Sequence, residues 1–125
     1  MILNGDLRTA RLQLVADAIS DGTLTLYTAP QPALGAALTT QTALVAIPVP
    51  AGLTAADATL TLLLTLPPIA ADGDAAWGRF VDSSAQFVAD GTCGVLGSSA
   101  DFQLAFTELS AGGTLIPLVS IISEG

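Results

Sequence analysis

Few residues of this chain could carry out covalent or acid–base chemistry. The sequence has no histidine, and its three basic residues are all arginines, at positions 8, 11 and 79. A serine or cysteine nucleophile therefore has no imidazole partner, and no lysine is present to form a Schiff base. The single cysteine, Cys93, has no adjacent cation to lower its pKa, so we interpret it as a small buried hydrophobe. One thiol also excludes an intrachain disulfide and a multi-cysteine metal site.

Paired carboxylates are the remaining route to catalysis, as in glycoside cleavage. The candidate pairs are Asp72 with Asp74 and Asp82 with Asp90. Each of the four lies directly next to a glycine or a serine. Aspartate is common in such turns because its side chain accepts hydrogen bonds from the local backbone. The Asp72-Gly73-Asp74 turn also offers oxygen ligands for calcium, but it lacks the longer ligand series of an EF-hand loop. We therefore predict that the chain is not an enzyme and has no catalytic residue, cofactor or metal site.

The charge balance is strongly acidic. Eleven acidic residues stand against three arginines in 125 residues, which gives a net charge of −8. No basic patch can then neutralise a nucleic-acid backbone or anionic lipid headgroups, so we expect neither nucleic-acid nor membrane partners. The mean hydropathy of +0.68 is high, but prolines and alternating threonines keep every apolar run below the about 20 residues of a spanning helix. Charges near the N-terminus interrupt every apolar run there, so we expect no secretory signal.

Charged residues are also scarce. They make up 11% of the chain, and residues 22–56 contain none, whereas ordinary soluble proteins have about 25%. Much of the surface must then consist of alanine, threonine, serine, glycine and leucine, and large uncharged patches usually mark contact surfaces. We favour burial of these surfaces in a multisubunit assembly over a monomer kept soluble by threonine and serine.

One segment, over about residues 7–20, has the period of a helix. Its apolar residues recur at helical spacing and would form one stripe: Leu12, Val15, Ala16 and Ile19. Asn4 or Asp6 can cap its start, and Gly22 can supply a left-handed residue at its end. Arg8 and Arg11 lie near the helix start, where the dipole disfavours cations. Asp6 or a neighbouring subunit could pair with them, and the equal alternative is that both arginines are solvated.

After Gly22 the period changes to that of β-strands. Residues 23–28 alternate, and residues 43–49 form a second run in which Pro48 indicates a sheet edge or a strand end. Residues 57–66 alternate most strongly. Their leucines would face the core, and their threonines would face outward. The predicted core positions are Leu60, Leu62, Leu64 and Leu66, opposite Thr59, Thr61 and Thr65.

The second half of the chain contains further short strands. Asp72-Gly73-Asp74 predicts a turn, and residues 75–81 and 85–90 predict a hairpin around Asp82-Ser83-Ser84. Later runs cover residues 92–96, 101–106 and 114–122, with Phe102 and Leu104 as core positions of the second. These signals predict a single domain over residues 1–125. Its expected fold is an all-β, antiparallel β-sandwich, jelly-roll-like, of about eight strands between residues 23 and 122. A small closed barrel is the alternative.

Trp77 and Arg79 are the most distinctive residues of the predicted hairpin. Strand alternation places both on one face and Phe80 on the other. Arg79 could pair with Asp82 or stack against Trp77. We predict a structural role for both residues.

Several segments, taken in order, resemble a family of small virion proteins of tailed bacteriophages and prophages. They are the early helix, Leu24-Thr25-Leu26-Tyr27-Thr28-Ala29-Pro30-Gln31-Pro32, Ala76-Trp77-Gly78-Arg79-Phe80-Val81-Asp82, Phe87-Val88-Ala89-Asp90-Gly91, Ser99-Ala100-Asp101-Phe102-Gln103-Leu104, and Gly113 before the last strand. The resemblance extends over nearly the whole chain but depends on no single diagnostic motif. This chain departs from many relatives in lacking lysine and in its abundance of alanine and leucine.

The resemblance implies a structural protein of the phage particle. We expect a capsid-associated decoration or minor head protein, made in the bacterial host cytoplasm and located in the virion. It would form a homo-oligomer, with a trimer around a local threefold as the expected state, and would bind the major capsid protein to reinforce the shell. Interface candidates are Arg8, Arg11 and Tyr27. The alternatives are a tail or adaptor component and a receptor- or glycan-binding β-sandwich on the virion surface.

Overall fold

The computed structural model describes residues 5–54, 59–65, 68–104, 107–112 and 117–123. One helix and nine strands lie within these residues. They are α1 (Gly5–Ile19), β1 (Thr23–Tyr27), β2 (Ala43–Pro48), β3 (Thr59–Thr65), β4 (Gly73–Asp74), β5 (Trp77–Val81), β6 (Phe87–Val95), β7 (Phe102–Leu104), β8 (Glu108–Leu109) and β9 (Pro117–Ser123). The prediction of a mostly β chain with one N-terminal helix is confirmed.

Helix α1 buries the predicted stripe. Leu12, Ala16 and Ile19 are each at most 2% exposed, and Val15 is half-buried. The helix end differs from the prediction, because Asp21 takes the left-handed conformation, with φ of 61°. Gly22 has another purpose: a Cβ there would lie 2.1 Å from the carbonyl oxygen of Val81. The glycine therefore lets the chain leave the helix in close contact with the end of β5.

Seven strands form one curled sheet in the order β2-β1-β5-β6-β7-β9-β3, and β4 and β8 pair separately. All neighbours in the large sheet are antiparallel except β6 and β7, which are parallel. The predicted all-antiparallel arrangement is therefore wrong at this one junction. The predicted turn at Asp72-Gly73-Asp74 is also wrong in part, because Gly73 and Asp74 form β4 and pair with Leu109 and Glu108.

The parallel junction depends on a short turn between β6 and β7, over residues 96–101. Parallel neighbours usually need a crossover of a dozen or more residues. Here the side chain of Gln103 satisfies backbone groups of the short turn: its Nε2 donates to the Ser98 carbonyl at 2.9 Å, and its Oε1 accepts from the Gly97 amide at 3.2 Å. Gly97 has a φ of 85°, which favours glycine. The run predicted at residues 92–96 is therefore mostly the second half of β6 rather than a strand of its own.

The predicted hairpin around residues 82–84 is confirmed, since β5 and β6 are antiparallel neighbours. The side chain of Asp82 accepts from the amides of Ser84 and Gln86, both at 2.9 Å. Asp82 therefore stabilises the turn, as aspartate commonly does.

The core lies on one face of the sheet, where α1 packs. It joins the helical stripe to alternating residues of β1, Leu24 and Leu26, and to Phe80 and Phe102. The last two rings meet edge to face, 5.4 Å apart. Strand β2 contributes two consecutive residues, Leu44 and Val45, because a bulge there shifts the register against β1.

Candidate functional site

Arg79 and Asp90 form an ion pair between the neighbouring strands β5 and β6. The Arg79 Nε donates to Asp90 Oδ1 at 2.6 Å, and Nη2 donates to Oδ2 at 3.0 Å. The two side chains are 12% and 0% exposed. A two-pronged pair of this kind fixes both side chains in one geometry.

This pair lies on the sheet face opposite the core. Phe80 belongs to the core, and a Cβ on Gly78 would lie 3.0 Å from Leu26 and Phe102 side-chain atoms. Because neighbouring residues of a strand point to opposite faces, Trp77 and Arg79 project to the outer face. The predicted placement of these two residues on one face is therefore confirmed.

Aromatic rings enclose the guanidinium group. It lies 5.2 Å from the Trp77 ring centroid and 5.4 Å from that of Phe87, within the range of cation–π attraction. Tyr27 stacks on Trp77 with centroids 4.6 Å apart. We call Tyr27, Trp77, Arg79, Phe87 and Asp90 the outer-face cluster.

The loop between β1 and β2, residues 28–42, is fastened to this cluster. Its Gly35 amide donates to Asp90 Oδ2 at 3.1 Å, and the Trp77 indole N–H donates to the Thr28 carbonyl at 2.9 Å. Within the loop, the Gln41 side-chain amide donates to the Pro30 carbonyl at 2.6 Å. Trp77 is 0% exposed although it does not belong to the main core cluster. The cluster therefore acts as a base on which the loop is seated.

The hydrogen bond to Asp90 raises the pKa of the Arg79 guanidinium, and the Asp90 charge adds to this against the opposing effect of burial. Arg79 is therefore cationic at every pH at which the protein is folded. Both charged groups are paired with each other and largely closed to solvent. The arrangement supports the structural role predicted for Trp77 and Arg79.

The predicted alternatives for Arg79 are resolved by this geometry. Its contact with Trp77 is present, but its ionic partner is Asp90 and not Asp82. The reason is a bulge: Val81 pairs with Phe87 while Phe80 pairs with Ala89, so Val88 is an extra residue. If Val88 instead paired with Phe80 in regular register, Asp90 would lie opposite Gly78 and would point to the opposite face from Arg79.

The loop seated on the cluster exposes large apolar side chains. Leu34 is 78% exposed, Leu38 43% and Phe87, beneath the loop, 41%. Phe87 is close to the loop, because a Cβ on Gly35 would lie 3.2 Å from its ring. No charged residue occurs in residues 28–42. We call Leu34, Leu38 and Phe87 the loop patch.

An acidic cavity of about 640 Å³ lies at the separate pair of strands β4 and β8. It is lined by Asp72, Asp74 and Glu108 among others, and all three are exposed. Asp72 Oδ1 already accepts from the Ala111 amide at 2.7 Å. Within the described parts of the chain, no group of three or more histidine, cysteine or acidic residues could hold a metal ion.

Cys93 lies in β6 and is half-buried. Burial, together with the nearby charge of Asp74, raises the pKa of its thiol to about 12. The thiol is therefore protonated and a weak nucleophile at neutral pH.

The remaining predicted residues divide into three groups. Phe102 and Leu104 belong to the core, at 2% and 0% exposed. Leu66 lies outside the described residues. The other five have a described backbone only: Leu60, Leu62 and Leu64 in β3, and Arg8 and Arg11 in α1. The residues that sequence analysis did not assign to the site are Phe87 and Gly35, together with the structural pairing of Asp90.

Within the described residues, no helix has the length and apolar character needed to cross a membrane. Comparison of the chain with known protein families, curated proteins and solved structures finds no match.

Proposed function

We propose that this chain is a structural protein of a tailed-phage particle, a capsid-associated decoration or minor head protein that reinforces the shell. The observation that carries the proposal is the loop patch, in which an uncharged loop bonded to the outer-face cluster exposes Leu34 and Leu38. A protein that works by contact needs such a surface, because burying one leucine side chain contributes about 1.5–3 kcal/mol. Repetition over many copies on a lattice then adds avidity.

The base beneath the loop supports this interpretation. A mobile apolar loop would lose conformational entropy on binding, whereas a loop already fixed by Asp90 and Trp77 loses less. The partner we propose is the major capsid protein. Self-association of the chain, and its location in the virion, belong to the same proposal, together with the absence of enzymatic activity.

We also propose that the curled sheet closes on its core in the manner of a jelly-roll-like sandwich. Support comes from the core, which joins Leu24 and Leu26 on one side of β6 to Phe102 and Leu104 on the other side.

A receptor- or glycan-binding role is the alternative from a different class, and a tail or adaptor role is the alternative within the same class. Glycan binding would require an accessible aromatic floor near Trp77 or Tyr27. Trp77 is 0% exposed, with Tyr27 stacked on its ring and its indole N–H bonded to Thr28 of the loop. The residues of the described cavity include no aromatic side chain. These observations favour the contact role.

The test is co-sedimentation with particles of the phage or prophage that encodes the chain. The Leu34→Asp/Leu38→Asp double variant should bind isolated heads about a hundredfold more weakly than the wild type. Leu14→Asp is the matched control, because Leu14 is 70% exposed on α1, away from the loop, and it should bind normally. Binding only to tails would move the protein to the tail or adaptor role. Absence of binding to any particle would refute the virion proposal.

A further inference from the structure

Strand β3 forms one end of the seven-stranded sheet and has a single neighbour, β9, in the described chain. All seven residues of β3 pair in continuous register with β9, from Thr59 opposite Ser123 to Thr65 opposite Pro117. The other side of β3 is a sheet edge. An uninterrupted edge of this length is a template on which another strand can form hydrogen bonds.

The register identifies the backbone groups that face outward. Antiparallel pairs alternate between those that exchange two hydrogen bonds and those that exchange none. Pro117 has no N–H, so its pair with Thr65 is of the second kind. By alternation, the backbone N–H and C=O groups of Thr59, Thr61, Leu63 and Thr65 point away from β9, towards the open edge.

The opposite end of the same sheet, β2, is protected against such pairing. Pro48 removes one donor there, and the Leu44 carbonyl already accepts from the Ala70 amide at 2.8 Å. Strand β3 contains no proline and no charged residue. In its described residues, β3 therefore has no charge, proline or bulge, three of the features with which sheet edges resist association.

We propose that β3 pairs with β3 of a second copy of this chain, antiparallel across a twofold axis. The four outward residues are spaced symmetrically about Leu62, so Thr59 would lie opposite Thr65 of the second copy, and Thr61 opposite Leu63. Every outward group then finds a partner, giving about eight hydrogen bonds. The uncharged strand also lets two copies meet although each carries a net charge of −8, because no like charges face one another within the pair.

This inference deepens the proposed function, since it names the self-contact of a protein proposed to act by assembly. It gives an isologous twofold contact rather than the threefold expected from the resemblance. A threefold built from sheet edges would need β3 to meet the protected edge of β2.

Amide hydrogen exchange of the full chain, measured by NMR at low and high protein concentration, tests the pairing. The inward amides of Leu60, Leu62 and Leu64 should be protected at both concentrations, because they bond to β9. The outward amides of Thr61 and Leu63 should exchange quickly at low concentration and become protected as the chain dimerises. Protection that does not alternate along β3, or outward amides that exchange quickly at every concentration, would overturn the proposal.

Analytical ultracentrifugation of Thr61→Lys provides a second test. The wild type should approach twice the 12.5 kDa mass of the chain. Thr61→Lys should dimerise at least about tenfold more weakly, because the two introduced lysines then lie diagonally across the twofold, each opposite Leu63 of the other copy. Ala46→Lys adds the same charge at an exposed position of β2 and should dimerise like the wild type. Equal loss in both variants, a trimer, or pairing of β3 only with another protein would contradict the proposal.

The two proposals fail separately. A dimer with the alternating protection that does not bind phage particles would refute the virion role and leave the β3 contact standing. A chain that binds to heads while its outward amides stay unprotected would support the virion role and refute the β3 contact.

Discussion

Arg79 and Asp90 are held together across two adjacent strands by a guanidinium–carboxylate fork of 2.6 and 3.0 Å, and Asp90 also binds a loop amide, that of Gly35. One carboxylate therefore joins the sheet to the β1–β2 loop. Because the Asp90 side chain is 0% exposed, the loss of either partner leaves a charge that water cannot readily solvate.

We expect Arg79→Met to lower the free energy of unfolding by about 3 kcal/mol, since it leaves the Asp90 carboxylate buried without its counter-ion. Arg79→Lys should cost less, because it keeps the charge but cannot form the fork. Urea denaturation measures both. The Arg79→Met/Asp90→Leu double variant is the control and should recover most of the loss. A change below about 0.5 kcal/mol for Arg79→Met would show that the pair contributes nothing to stability.

Gly22→Ala should destabilise the protein by about 3 kcal/mol or more, because the new methyl group would collide with the backbone at the end of β5. Its Cβ would lie 2.1 Å from the Val81 carbonyl oxygen and 2.9 Å from that of Ile19. Gly52→Ala is the control, because it introduces backbone strain without a steric clash. Gly52 has a φ of 76° and nothing within 4 Å of the added Cβ, so its cost should be about 1 kcal/mol. Equal losses in thermal or urea unfolding would refute the close approach.

Gln103→Leu should destabilise the parallel junction, because it leaves the Gly97 amide and the Ser98 carbonyl without their side-chain partner. The expected loss is about 2 kcal/mol in the free energy of unfolding. Gln86→Leu makes the same chemical change at an exposed turn position and should stay within about 0.5 kcal/mol of the wild type. Should the two variants prove equally stable, Gln103 would not be what holds the short turn.

Cys93 should react slowly with iodoacetamide at neutral pH. Its pKa of about 12, against an ordinary value of 9.0, implies about a thousandfold less thiolate at pH 8 in the folded protein than in urea. The stability effect has a definite sign. Above pH 9 the unfolded state loses its thiol proton first, so the contribution of Cys93 to stability falls as the pH rises from 9 towards 12.

Cys93→Ala is the control. Its free energy of unfolding should fall less above pH 9 than that of the wild type, because it has no thiol to titrate. Equal labelling rates at pH 8 in the folded and urea-unfolded states would contradict the raised pKa.

Local patterns in the sequence predict the elements whose stability is local. The apolar stripe of α1, the alternation of β1, the edge position of Pro48 and the turn at Asp82 all follow from the spacing of neighbouring residues. These features depend on the periods of 3.6 and 2, which a single segment displays.

Features that depend on register were not predictable in this way. One extra residue, Val88, decides whether Asp90 meets Arg79, and nothing in the local pattern marks it as a bulge. The parallel pairing of β6 and β7 depends on Gln103, a polar side chain that satisfies backbone groups normally satisfied by a longer crossover. Both are contacts between segments, for which hydrophobic alternation contains no signal.

Trp77 is the single tryptophan of the chain, and it lies fully buried at the foot of the β1–β2 loop, with its indole bonded to Thr28. The protein therefore carries its own optical reporter at the place where the loop is anchored. A shift of its emission to longer wavelength, with the β-sheet circular dichroism unchanged, would record the loop lifting away before the chain unfolds. Release of the loop from the sheet could be followed from that one signal without an added dye.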